Sequence, residues 1–257
     1  MGRRQIATLA RFTLLEASRT RLLWLFVVAL ALVFGAAYFV QQLAITESAR
    51  MQTAFSAAAA RLVAVFVLSL YVLTSLVREF NDKGLELTLS FNLRRADYIL
   101  GRFLGFMLIA VTMALLAGLP QMLLAPLPAA LQWSCSLALE LIIVAAASVF
   151  CILTFMQLMP AASFIAGFYL LARAITAIRL ISSNPIVDEN ALSHRVIGWI
   201  IDALALVLPA LDGFTQSAWL VDAPAGWAAI GACAVQATIY TALLIAAAMF
   251  DFYRRNL

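Results

Sequence analysis

Long apolar runs separated by short polar ones fill the chain. Runs of about 20 apolar residues match the length that crosses a hydrocarbon core of roughly 30 Å. Six such spans are predicted, at 22–40, 57–77, 100–125, 131–156, 161–182 and 226–250. The fold class expected is an all-α integral membrane protein, with residues 1–257 forming one transmembrane domain. Pro126 and Pro128 mark a short turn between the third and fourth spans, and Met159-Pro160 one between the fourth and fifth. Proline ends a helix there because it lacks an N–H and clashes with the preceding turn. The segment 183–225 is long and only partly polar. Within it, 195–214 is apolar but interrupted by Gly198, Asp202, Pro209 and Asp212. It is read as a short helix that either dips into the membrane or lies along its surface. Such irregular backbone survives at membrane depth only against protein or a wet cavity.

Residues 3–21 form a polar lead with helical periodicity. Arg4, Thr8, Arg11, Ser18 and Arg19 fall on one arc, and Ile6, Leu9, Ala10, Thr13 and Ala17 on the other. Leu15 and Glu16 break the pattern. An amphipathic helix lying in the membrane plane is expected, its basic face toward anionic headgroups. The run that follows is too long for a cleaved signal peptide and is read as an uncleaved signal anchor.

Composition agrees. The chain is 65% hydrophobic and 12% charged, with a mean hydropathy of +1.01, well outside the range of soluble domains. The net charge of +4 does not indicate nucleic acid, because the basic residues gather at the ends of apolar runs. One side of the six-span arrangement collects twelve: Arg3, Arg4, Arg11, Arg19, Arg21, Arg78, Lys83, Arg94, Arg95, Arg102, Arg254 and Arg255. The other holds Arg50, Arg61 and Arg195. By the positive-inside rule both termini of this multi-pass protein are expected in the cytoplasm.

Catalytic chemistry is not apparent. With one histidine, His194, paired-histidine metal or haem ligation within the chain is excluded, and no metal site or catalytic set is expected. The single lysine, Lys83, follows Asp82, so there is no Walker A motif. Cys135, Cys151 and Cys233 sit in apolar runs and read as small hydrophobes. Intramembrane ionisable residues are costly and mark candidate sites. Glu140 falls in the fourth span, Arg173 and Arg179 in the fifth. Counted from a turn near residue 159, Glu140 and Arg179 share a depth to within about 2 Å at 1.5 Å per residue. An ion pair Glu140–Arg179 is therefore expected, with Arg173 as second partner.

The stretch "REFNDKGLELTLSFNLRRADYILGR", residues 78–102, carries nine charges between two apolar runs. Alternation from Leu85 to Leu93 fits a strand. A strand without a partner is implausible in so short a loop, and two short amphipathic helices broken at Gly84 and near Asn92 fit better.

With Glu79, Gly84-Leu85, the leucine-rich run, Arg95, Tyr98, Gly101 and Arg102, this stretch resembles the ABC-2 type ABC transporter permeases. Leu85 stands where threonine is common in that family, and Asn92 where proline is. The span count, the amphipathic lead and the long segment before the last span are similar as well. The resemblance implies that 78–99 is a cytoplasmic coupling region on which a separate ABC-type ATPase subunit docks. Glu79, Asp82, Lys83, Gly84, Glu86, Arg94 and Arg95 are its candidate contacts. It implies an exporter with no cofactor on this chain, ATP and Mg being held by the partner. A second permease copy, identical or paralogous, would complete the path in contact with membrane lipid. The competing reading is a membrane anchor or assembly factor that recruits a non-ATPase partner through the same region.

Overall fold

A computed structural model of the chain describes residues 2–43, 47–81, 95–183 and 192–254. Among these residues the regular elements are all helical. Helix α1 (Gly2–Arg19) is followed by α2 (Leu22–Leu43), α3 (Ser48–Asn81), α4 (Arg95–Leu124), α5 (Leu127–Phe155) and α6 (Leu158–Ser183). Then come α7 (Leu192–Val207), a 3₁₀ turn (Leu211–Gly213), the single-turn α8 (Ala218–Val221) and α9 (Trp227–Arg254). Six of them, α2 to α6 and α9, are long and apolar enough to cross a membrane. The shortest, α2, has 22 residues, about 33 Å at 1.5 Å per residue.

Helix α5 is the hub. It packs against α3, α4, α6 and α9, and 72% of its most apolar window is buried, against 17% for α2 and 22% for α9. Small residues permit this. Ala145, Ala146, Ala147 and Ser148 are all buried on α5, and small side chains let helix backbones approach closely where apolar contrast with lipid supplies no driving force. Helix α1 closes on α4 by the same device. A Cβ added to Gly101 would lie 2.7 Å from the Cβ of Leu9, and one on Gly105 2.5 Å from the Cβ of Thr13. The buried residues of α1 are Ala10, Thr13 and Ala17, from the arc read as apolar. That arc faces protein, while Phe12 and Leu15 are exposed.

The turn between α5 and α6 comes earlier than the sequence suggests. Helix α5 ends at Met156, in the left-handed region at φ 56°, and its N–H bonds the carbonyl of Ile152. Helix α6 begins at Leu158, so Pro160 lies inside its first turn. Proline is harmless there, because the first N–H groups of a helix have no intrahelical acceptor to lose. The turn at Ala125-Pro126, by contrast, falls where expected.

Between α6 and α9 the chain folds back into the bundle. Arg179 meets Asp202, Thr176 meets Asp212, and Arg173 meets the carbonyls of Leu211 and Phe214. Moving down α6 toward its start therefore moves along α7 into the 3₁₀ turn. The chain then returns through α8 to Asp222, which pairs with Arg50 near the start of α3. The bend between α7 and the following turn is 60°. Leu211, Phe214 and Thr215 at its bottom are fully buried.

Candidate functional site

Two buried ionic clusters stand out, one at the end of the bundle that carries both termini and one at mid-depth. The first is built on Arg102, in the second turn of α4, whose side chain is 4% exposed. Its Nη1 donates to Glu16 Oε2 of α1 at 2.8 Å and to Thr13 Oγ1 at 3.1 Å. Its Nε donates to Glu79 Oε2 of α3 at 2.8 Å, and its Nη2 also bonds that carboxylate. Ser75 donates to the other oxygen of Glu16 at 2.7 Å. The guanidinium carbon lies 5.7 Å from the ring centroid of Phe12 and 6.0 Å from that of Phe106. A planar fork with five donors satisfies two carboxylates at once, which a lysine ammonium does not. One side chain thus joins α1, α3 and α4.

The charged stretch leaves α3 at Asn81 and enters α4 at Arg95, beside this cluster. Of the docking candidates, Glu79 turns inward to Arg102. Arg95 donates to the carbonyl of Phe252 at 3.1 Å and lies 5.6 Å from that ring, fastening α4 to the end of α9. Asp82, Lys83, Gly84, Glu86 and Arg94 lie outside the described residues, as do the two short helices expected there.

The second cluster surrounds Glu140, which is fully buried near the middle of α5. Tyr169 Oη donates to its Oε1 at 2.9 Å, and Arg173 Nη1 approaches the same oxygen at 3.3 Å. The Thr215 hydroxyl bonds the other oxygen. Arg173 also donates to the carbonyls of Leu211 at 2.7 Å and Phe214 at 3.2 Å. Thr215 N–H donates to Ser136 Oγ at 3.1 Å, and its carbonyl accepts from Arg61 at 3.1 Å. The buried charge is compensated, and backbone groups of Leu211, Phe214 and Thr215 are bonded by side chains of α3, α5 and α6.

The expected first partner of Glu140, Arg179, is not its partner. Arg179 Nε lies 3.2 Å from Asp202, in a pair whose side chains are 64% and 62% exposed. The earlier turn explains the exchange. Glu140 stands 16 positions before Met156, Arg173 17 positions after it and Arg179 23 after it. Arg173 thus matches Glu140 in depth, and Arg179 lies about 9 Å further along at 1.5 Å per residue. Arg61 of α3 reaches the turn after α7, at the carbonyl of Thr215.

Sequence reasoning missed the Arg102 cluster. Arg102 reads there as one of many topology-setting cations. The available signal was Glu16, an acidic residue at the edge of the apolar arc of α1. Among the described residues no group of three histidine, cysteine or carboxylate side chains is placed to hold a metal ion. No protein-family model matches the chain. No curated protein matches it in sequence.

Proposed function

We propose that the chain is the membrane-spanning permease subunit of an ABC transporter, an exporter in a bacterial inner membrane, with both termini cytoplasmic. A separate ATPase subunit docks on 78–99 and supplies ATP and Mg. The observation that carries this reading is the locked foundation of the charged stretch. Its two flanking helix ends and α1 are joined through Arg102. A push on that stretch is therefore delivered to three helices together. A loop that served only to set topology needs no such anchorage. Helix α1 lies at the membrane surface, its exposed Phe12 and Leu15 toward lipid. Two copies of the chain frame the path between them, because the centre of a single copy is filled by α5.

Differential contact between two states is the physical requirement for coupling. The test is affinity purification of the tagged chain from mild detergent, with its partners identified. A stoichiometric partner bearing a P-loop is expected, and Arg94→Glu is expected to lose it while the chain still inserts. Arg95→Glu is less clean, since it also breaks the contact with Phe252. Recovery of a partner without a nucleotide site would replace this reading with that of an anchor or assembly factor.

A further inference from the structure

At the end of the bundle where α1 joins α2, a cleft of about 270 Å³ opens between α1, α2 and α3. Its lining is graded along α3. Val67 and Leu70 lie toward the middle of the span, then Thr74, then Arg78 at the rim. Spacings of three and four residues keep these side chains on one helix face, over about 16 Å at 1.5 Å per residue. Leu25 of α2 continues the apolar part, and Thr20 of α1 faces the polar part. Apolar gives way to hydroxyl and then to cation in the direction in which hydrocarbon gives way to headgroup.

Charge selects the occupant. The one carboxylate in the lining, Glu16, already accepts from Arg102 and Ser75. The sign at the mouth is set by Arg78, with Arg19 and Arg21 flanking Thr20 in sequence, all three exposed. Among the described residues none of the three is paired with a carboxylate. Trp24, 62% exposed in the first turn of α2, is a residue type enriched at the membrane interface. At about 270 Å³ the cleft lies just below the range of whole-ligand pockets, about 300–1,000 Å³. It fits a headgroup whose chains run out past Leu25 into the bilayer.

The geometry points to a site for one anionic phospholipid, its phosphate at Arg78 and its acyl chains along Val67, Leu70 and Leu25. A lipid seated there wedges α1 against α2 and α3, beside the Arg102 cluster. The inference rests on the membrane reading alone and stands whether or not an ATPase docks.

The full chain, delipidated in neutral detergent, is titrated with phosphatidylglycerol or phosphatidylcholine, and bound lipids per chain are counted by native mass spectrometry. One saturable phosphatidylglycerol is expected, bound more tightly than phosphatidylcholine. Arg78→Gln, at an exposed position, is expected to weaken it about fivefold, the value of one arginine near an anionic lipid. Val67→Trp, which fills the apolar part, is expected to abolish it. Equal binding of the two lipids, or unchanged affinity in Arg78→Gln, overturns the proposal. Displacement by glycerol phosphate also overturns it, making this a site for free anions. Fractionation of the untreated chain is read separately: recovery in the aqueous fraction sinks the membrane reading itself.

Discussion

Arg102 and Glu16 are 86 positions apart in sequence and their charged atoms are 2.8 Å apart in space. With Glu79 on its other side, the arginine balances two carboxylates in a setting that is almost closed to water. Breaking such a cluster by removing its cation leaves uncompensated charge, which costs about 3–5 kcal/mol. Arg102→Ala is therefore expected to lower thermal stability in detergent sharply, and Arg102→Lys to recover only part of the loss, because an ammonium lacks the planar fork. A melting temperature unchanged in Arg102→Ala would refute the clamp.

The two candidate partners of Glu140 are separable by double-mutant cycles. Glu140→Gln with Arg173→Gln is expected to show a coupling energy of about 1–3 kcal/mol, as for groups in direct contact. Glu140→Gln with Arg179→Gln is expected to be additive. Coupling to Arg179 as large as that to Arg173 would contradict the depth match set by the turn at Met156.

Met156 occupies a left-handed conformation, φ 56°, which costs a non-glycine residue about 1–2 kcal/mol. Met156→Gly relieves that strain. Glycine also loses more freedom on folding, so a net gain of up to about 1 kcal/mol is expected. A loss of stability, measured by thermal unfolding, would mean that the Met156 side chain contributes more than the strain.

The seat of α1 on α4 is expected to fail in Gly105→Ala. The new Cβ would meet the Cβ of Thr13 at 2.5 Å, and overpacking of this kind costs about 1–3 kcal/mol. Thr13→Ala retains the offending atom and is expected not to rescue, whereas Thr13→Gly removes it. Protease sensitivity in the segment joining α1 to α2 reports the detachment. Equal rescue by both variants would place the clash elsewhere.

The sequence made the long helices legible because uninterrupted apolar runs of about 20 residues are conspicuous in any chain. It also singled out Glu140, since a carboxylate in the middle of an apolar run is conspicuous. What it could not place was register. A shift of a few residues in one turn changes which arginine faces Glu140, and Pro160 looks the same in sequence whether it ends a helix or begins one. The Arg102 cluster was hidden for another reason. A cation at the end of a span has an ordinary explanation in topology, and nothing local ties it to a carboxylate in a different helix. The buried turn at 211–215 was half visible: Pro209 and Asp212 broke the run, but the side chains that receive it come from α3, α5 and α6.

The tie between Glu16 and Arg102 also has a place in time. A ribosome adds about 5–20 residues per second, so Arg102 is made roughly 4 to 17 seconds after Glu16. Over that interval the first helix has neither its cation nor the two glycines of α4 that receive it. The hairpin of α2 and α3 is made before that tie exists, and α1 closes on α4 only once α4 has been made. Helix α1 is thus made well before the residues of α4 that hold it in place.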